Sequence, residues 1–175
     1  MDSKSKIGYD NFPYRFIFLS NLLQYLIYFI GAYIVYLFGL FWLIPYFIYI
    51  IILEIRLLKK SCINCYYYGK LCAFGKGKVS SIFFKKGNPK KFVEYEIKWT
   101  NIIPDFLVFI IPMILGFFLI LTKFNFVILI LVILLFLFGS IGNGIIRGSI
   151  ACKYCKQREI GCPAEQLFRK LKNKK

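Results

Sequence analysis

The chain has 175 residues, of which 59% are apolar and 20% aromatic, and its 24 Lys and Arg against eight Asp and Glu give a formal net charge of +16. A soluble domain is roughly half apolar, so this composition argues against a soluble globular protein. The absence of histidine excludes any site that depends on an imidazole side chain.

Two long blocks hold most of the apolar residues. No Asp, Glu, Lys or Arg occurs from Phe16 to Leu53, and Lys123 is the only charged residue from Phe106 to Ile146. A bilayer span needs about 20 apolar residues, so each block is long enough for two helices. The sequence therefore predicts an all-α integral membrane protein with four transmembrane helices, arranged as hairpins at about residues 16–58 and 104–146.

The basic residues are distributed very unevenly along the chain. Three precede the first helix, 11 lie between the hairpins, nine follow the last helix and one, Lys123, lies in the second hairpin turn. By the positive-inside rule, this predicts a multi-pass cell-membrane protein with both termini and the central loop in the cytoplasm. The first apolar run is too long for a signal-peptide core and lacks a small-residue cleavage site, so we expect no cleavable signal.

The first hairpin is predicted as helices from about Phe16 to Tyr36 and from about Leu40 to Leu58, with Gly39 as the turn residue. Its end is followed by three cysteines and a basic loop. In this loop, residues 80–91 mix phenylalanines with lysines, which suits contact with anionic lipid headgroups on the cytoplasmic face. A charge cluster that only sets the topology is the alternative.

The second hairpin follows a short alternating stretch. Residues 93–99 alternate apolar and charged side chains, which predicts a short surface strand. The third helix is expected to begin near Pro104, with Asp105 in its first turn, where the helix dipole favours a carboxylate. The fourth runs from about Phe126 to Ile146. Four-residue spacing of small residues near its end predicts close approach of another backbone: Ser140, Gly144 and Gly148.

All six cysteines fall into two Cys-x2-Cys-x6-Cys triplets displaced by 90 positions. The first triplet is Cys62, Cys65 and Cys72, and the second is Cys152, Cys155 and Cys162. Asn11 and Phe16 recur as Asn101 and Phe106 at the same displacement. We interpret this as two tandem repeats, residues 1–90 and 91–175, each a hairpin, a triplet at 62–72 or 152–162, and a basic loop or tail. Two helices per repeat imply a pseudo-twofold axis along the membrane normal, which would place both triplets on one face.

Paired cysteines at this spacing favour a metal site that includes all six thiols. Zinc in a structural site takes four ligands. With no histidine, the fourth ligand must be Glu159 or Glu165, water, a residue of another subunit in a homodimer, or a thiol of the other triplet. An iron–sulfur cluster, also held by thiolates, is the alternative cofactor.

The triplet spacing resembles half of the fungal binuclear zinc-cluster domain, in which two Cys-x2-Cys-x6-Cys halves bind two zinc ions through six thiolates. Residues 62–72 match one half and residues 152–162 the other. A whole membrane hairpin separates the halves here in place of a short linker. The resemblance therefore implies a possible metal-site geometry but no nucleic-acid partner, and it identifies no family for the chain.

Other uses of the cysteines remain open. Neighbouring lysines would favour reactive thiolates, a reducing cytoplasm disfavours disulfides, and chance duplication of the spacing is the remaining alternative. The first functional hypothesis is a metal-binding membrane protein whose site joins the repeats or docks a cytoplasmic partner. The second is a membrane redox protein that uses an iron–sulfur cluster or a dithiol. The lack of ionisable residues within the spans disfavours a transporter. Nothing in the sequence favours a hydrolytic enzyme.

Overall fold

A computed structural model describes residues 8–94 and 99–163, and these residues are helical with no β-strand. Within them, four helices are long and apolar enough to cross a membrane: Tyr14–Tyr36, Leu40–Asn64, Thr100–Thr122 and Phe126–Gly148. The prediction of four such helices is confirmed, and they indicate a membrane protein that contacts lipid along these segments.

The helices follow one another with short connections. Helix α1 spans Tyr14–Tyr36 and α2 spans Leu40–Lys60, and Gly39 between them has φ 122°, the left-handed conformation expected of a turn glycine. A 3-10 turn, Cys62–Asn64, precedes α3 at Lys76–Phe83 and α4 at Pro89–Val93. Helix α5 spans Trp99–Thr122. Helix α6, Phe126–Phe136, continues as π-helical segments Leu137–Gly142 and Ile145–Ala151, and α7 is Gln157–Ile160.

Two local predictions around the third membrane helix were wrong. Helix α5 begins at Trp99, five residues before Pro104, so Asp105 does not lie in its first turn. Pro104 therefore lies inside the helix, where its missing N–H removes the helical partner of the Thr100 carbonyl. The strand predicted at residues 93–99 is not formed at either end, because Val93 is the last residue of α4 and Trp99 is the first residue of α5. Glu94 forms a bend after α4, and residues 95–98 lie outside the described residues.

The glycines that pack closely differ from those predicted. A side chain at Gly144 or Gly148 would meet no atom within 4 Å, so the predicted close approach is absent there. A Cβ atom at three other glycines would instead overlap a neighbouring helix's side chain: Gly31 against Tyr46, Gly116 against Val132 and Gly139 against Phe109. Spacing shows which small residues share a helix face but not whether that face is turned inward.

The chain divides into two compact units. The bundle unit comprises residues 21–55 and 99–145 and contains most of the four candidate spans. The cysteine unit comprises the described parts of residues 1–20, 56–98 and 146–175, and it contains all six cysteines.

A tyrosine hydroxyl in the bundle unit compensates for Pro112 of α5. Pro112 has no N–H, so the carbonyl of Val108, four residues earlier, lacks its helical partner. The Tyr46 hydroxyl donates a hydrogen bond of 2.9 Å to that carbonyl. The Tyr49 hydroxyl donates to the carbonyl of Pro104 at 2.7 Å, which adds a second hydrogen bond from α2 to α5. An unpaired carbonyl is costly in a bilayer, so these bonds stabilise the packing of α2 against α5.

Candidate thiol site

Both Cys-x2-Cys segments of the cysteine unit form the same backbone turn. The N–H of Cys65 donates to the carbonyl of Cys62 at 3.3 Å, and the N–H of Cys155 donates to the carbonyl of Cys152 at 3.5 Å. Three residues further on, Tyr68 donates to the carbonyl of Cys65 at 3.0 Å and Arg158 to that of Cys155 at 3.1 Å. The first two cysteines of each triplet therefore lie in backbone turns of the same kind.

Burial along the two segments is also alike. Residues 61–73 and 151–163 have the same degree of burial at each paired position except 61/151, 63/153 and 70/160. Tyr67 and its counterpart Gln157 are both buried, with 1% and 3% of their surface exposed. Ala73 and its counterpart Pro163 are buried as well. The two segments therefore turn corresponding positions inward.

The buried pair connects the two segments through reciprocal hydrogen bonds. The N–H of Tyr66 donates to Oε1 of Gln157 at 2.6 Å, and the N–H of Lys156 donates to the hydroxyl oxygen of Tyr67 at 3.1 Å. Because 66 and 156, and 67 and 157, are each 90 positions apart, each segment offers a main-chain donor to the other segment's side chain. Such reciprocity is the pattern of a twofold interface.

A short N-terminal segment, Tyr9–Phe12, contacts both cysteine segments. Tyr9 donates its N–H to the carbonyl of Tyr154 at 3.0 Å and accepts a 2.6 Å hydrogen bond from the Tyr67 hydroxyl at its own carbonyl. Phe12 donates to the carbonyl of Leu71 at 2.8 Å. This segment therefore holds the two triplets against each other.

An exposed ion pair adds to the same contact. Nζ of Lys156 lies 2.7 Å from a carboxylate oxygen of Asp10, which also accepts a 2.6 Å hydrogen bond from the Tyr66 hydroxyl. The hydrogen bond from Lys156, followed by that from Tyr66, lowers the pKa of Asp10. Because Asp10 is exposed, solvent screening keeps the contribution of this pair to stability small.

The thiols of the two triplets lie close together in an apolar environment. All six cysteines are thiols, and all six are partly buried. Cys65, Cys72 and Cys155 pack against one cluster that includes buried Phe12 and Tyr67. Burial, and then the charges of Cys72 and Cys162, raise the pKa of Cys65 to about 11. Cys162 of the second triplet thus acts electrostatically on Cys65 of the first.

The same relationship holds from the second triplet. Burial, together with the charges of Cys65 and Cys162, raises the pKa of Cys155 to about 12. Two thiols of the first triplet and two of the second are thus linked electrostatically. The structure places four of the six predicted site residues in one neighbourhood of the cysteine unit. Cys62 and Cys152, the remaining two, begin the two turns and are partly buried.

Backbone N–H groups point at three of these sulfurs. Hydrogen bonds from the backbone of Tyr67 and Tyr66 act on Cys65 and oppose the effect of burial on its pKa. The backbone of Gln157 and Arg158 does the same for Cys155. The N–H of Gly77 donates to Sγ of Cys72 at 3.4 Å. Such donors stabilise the thiolate form that a metal ion requires.

The thiols do not converge on a common point. Across residues 8–94 and 99–163, no three His, Cys, Asp or Glu side chains are arranged so that they could hold a metal ion. Of the two carboxylates predicted as possible fourth ligands, Glu159 is exposed on α7 and Glu165 lies outside the described residues. The site is therefore a neighbourhood of thiols with backbone donors and not a formed coordination sphere.

The sequence did not reveal the residues that dock the two segments. Tyr67 and Gln157 occupy equivalent positions but differ in type, so a comparison of the repeats does not pair them. Tyr9 and Phe12 lie in a short polar tail with no motif. The recurrence of Asn11 was the only sequence signal in this region, and its side-chain oxygen accepts from the N–H of Leu71 at 3.0 Å.

The described fold is that of an all-helical protein with four candidate membrane spans and a cysteine unit. The chain matches no protein-family model, no curated protein and no solved structure.

Proposed function

We propose that this chain is a multi-pass membrane protein that binds zinc at one site shared by its two cysteine triplets. The observation that carries the proposal is the docking of the triplets, which brings Cys65 and Cys72 of the first and Cys155 of the second into one cluster. Cys162 acts electrostatically on both Cys65 and Cys155. Four thiolates satisfy a structural zinc site without histidine.

Closure of the site requires the thiol side chains to turn towards a common ion. Zinc supplies the driving force, because a coordinated thiol loses its proton even where burial otherwise keeps it neutral. Backbone donors such as Gly77 N–H, 3.4 Å from the Cys72 sulfur, then stabilise the coordinated thiolates.

The role that follows is structural and membrane-proximal. The metal holds together the segments that follow the two hairpins, and so fixes the two repeats, residues 1–90 and 91–175, to each other. The reciprocal bonds of Tyr66 and Lys156 support this repeat and its twofold axis. The distribution of basic residues supports a cytoplasmic location for the site, where it could also dock a cytoplasmic protein or a second copy.

A redox role is the second candidate. Four thiolates also suit an iron–sulfur cluster, and the spans would give it access to a lipid-soluble carrier. A dithiol mechanism is less well supported, because a nucleophilic cysteine needs a lowered pKa and burial raises the pKa of both Cys65 and Cys155.

Metal analysis of protein purified anaerobically in detergent tests the proposal. One zinc ion per chain in a colourless sample is the expected result, and a variant with all six cysteines changed to serine is the matched control. Iron with acid-labile sulfide and a brown colour would instead support the redox role and contradict the zinc site. Wild-type protein with no more metal than the control would refute both.

A further inference from the structure

Helix α3, Lys76–Phe83, presents its small residues inward and its large apolar residues outward. Gly77 and Ser80 are buried, and a Cβ atom at Gly77 would overlap the carbonyl of Tyr67. On the other side, Val79, Ile82 and Phe83 expose 40%, 71% and 70% of their surface. These three lie at i, i+3 and i+4 and form one outward apolar stripe.

Lysines precede and follow this stripe along the chain, with no carboxylate among them. There is no Asp or Glu from Lys76 to Val93. Five of the lysines in this stretch are exposed: Lys78, Lys85, Lys86, Lys90 and Lys91. A helix with an exposed apolar face, flanked by cations, has the composition of a segment that lies in a membrane interface.

The start of α3 lies beside the ends of two candidate spans. A Cβ atom at Gly75, the residue before α3, would lie 3.2 Å from Cγ2 of Ile17, near the start of the span Tyr14–Tyr36. The guanidinium of Arg147, at the end of the span Phe126–Gly148, lies 5.4 Å from the centre of the Phe74 ring. These contacts place the start of α3 beside the ends of two candidate spans, where we expect those spans to leave the bilayer.

We propose that the outward stripe of α3 inserts into the headgroup layer of the protein's own membrane, with the surrounding lysines bound to anionic phospholipid. The apolar stripe supplies insertion, and each lysine near the surface adds electrostatic attraction to an anionic leaflet. The partner is the lipid surface, since positive charge and position both match it. This proposal is independent of the metal site.

A tryptophan reporter in nanodiscs tests the insertion. Trp42 and Trp99 are changed to Phe, and Ile82→Trp supplies the single reporter, with Phe83→Trp as a second reporter if the first variant misfolds. Nanodiscs contain phosphatidylcholine alone or with phosphatidylglycerol, each with or without chain-brominated lipid. We expect blue-shifted emission that brominated lipid quenches, with more quenching when phosphatidylglycerol is present.

A matched pair of lysine variants separates charge from apolar insertion. Changing Lys85, Lys86, Lys90 and Lys91 to Gln should abolish the dependence on phosphatidylglycerol, whereas changing the same four to Arg should retain it. Emission typical of water, unquenched in both lipid mixtures, would overturn the proposal. Unquenched but blue-shifted emission would also overturn it, because a second copy or another protein surface would then cover the stripe.

Discussion

The backbone N–H of Tyr66 donates a 2.6 Å hydrogen bond to Oε1 of Gln157, 91 positions along the chain. The N–H of Lys156 returns the equivalent bond to the Tyr67 hydroxyl at 3.1 Å. Tyr67 and Gln157 thus have the same role in the two segments, because each accepts a main-chain hydrogen bond from the other segment. Each is buried and lies two positions after the second cysteine of its triplet.

Tyr67→Phe should weaken the docking of the two cysteine segments. The hydroxyl accepts from Lys156 and donates to the carbonyl of Tyr9 at 2.6 Å, so its loss leaves both main-chain groups unpaired. We expect the free energy of unfolding to fall by about 1–3 kcal/mol. Chemical denaturation in detergent, followed by thiol accessibility to a maleimide, measures the change.

Tyr14→Phe provides the control, because Tyr14 is 75% exposed. It should leave the free energy of unfolding nearly unchanged. Equal effects of the two substitutions would contradict the role assigned to the Tyr67 hydroxyl.

The cost of Tyr46→Phe should depend on Pro112. The Tyr46 hydroxyl pairs with the Val108 carbonyl, which lacks a helical partner because Pro112 has no N–H. In the wild type the substitution should cost about 0.6–2 kcal/mol. In a Pro112→Ala background, where the main chain can pair with that carbonyl, the cost should be close to zero.

A double-mutant cycle of these two positions, measured by unfolding in detergent micelles, isolates the coupling. Additive effects of the two substitutions would show that the hydroxyl does not compensate for the proline.

The sequence was sufficient to predict the four long helices, but it did not show which of their faces pack against other helices. Two long apolar blocks with almost no charged residues predicted the four helices, because only long apolar segments can cross a bilayer. The prediction of Gly39 as the turn residue of the first hairpin was also correct. Prediction failed at Pro104, which lies inside α5 and does not mark its start, and at Gly144 and Gly148, whose face is not turned towards another helix.

For the candidate site, the triplets identified the thiols but not what joins them. The 90-residue displacement shows that two segments are alike in pattern, and it predicts a common face. The docking depends on Tyr9, Tyr67 and Gln157, whose hydrogen bonds link positions far apart in the chain. No local pattern encodes such pairings, so they could not be predicted from one sequence.

Thiol alkylation in chelator-treated protein should be slow at neutral pH. Burial raises the pKa of Cys65 to about 11 and that of Cys155 to about 12, so the protonated, unreactive form is favoured. Below these values, each unit of pH should increase the thiolate population, and the rate, about tenfold. Peptide mapping by mass spectrometry after timed alkylation measures both sites, with N-acetylcysteine as the reference. A rate that levels off near the reference thiol's pKa would contradict the assigned environment.

All six thiols should react from the cytoplasmic side of the membrane. The N-terminal segment, the central loop and the C-terminal tail hold 23 of the 24 Lys and Arg. The positive-inside rule therefore predicts that these three segments lie in the cytoplasm. After chelation, a membrane-impermeant maleimide should label inverted vesicles and leave intact cells unlabelled. Labelling of either triplet in intact cells would contradict both the orientation and the common face of the repeats.

The metal content of two matched double variants tests the shared site most directly. Cys62 and Cys65 are changed to Ser in one variant, and Cys152 and Cys155 in the other, with both purified anaerobically beside the wild type. If the triplets share one ion, each variant removes one of its four proposed thiolates, Cys65 or Cys155, and leaves the rest under-coordinated. Each variant should then lose nearly all of its zinc. Retention of about half the wild-type zinc by each variant would contradict a shared site and indicate two separate ones.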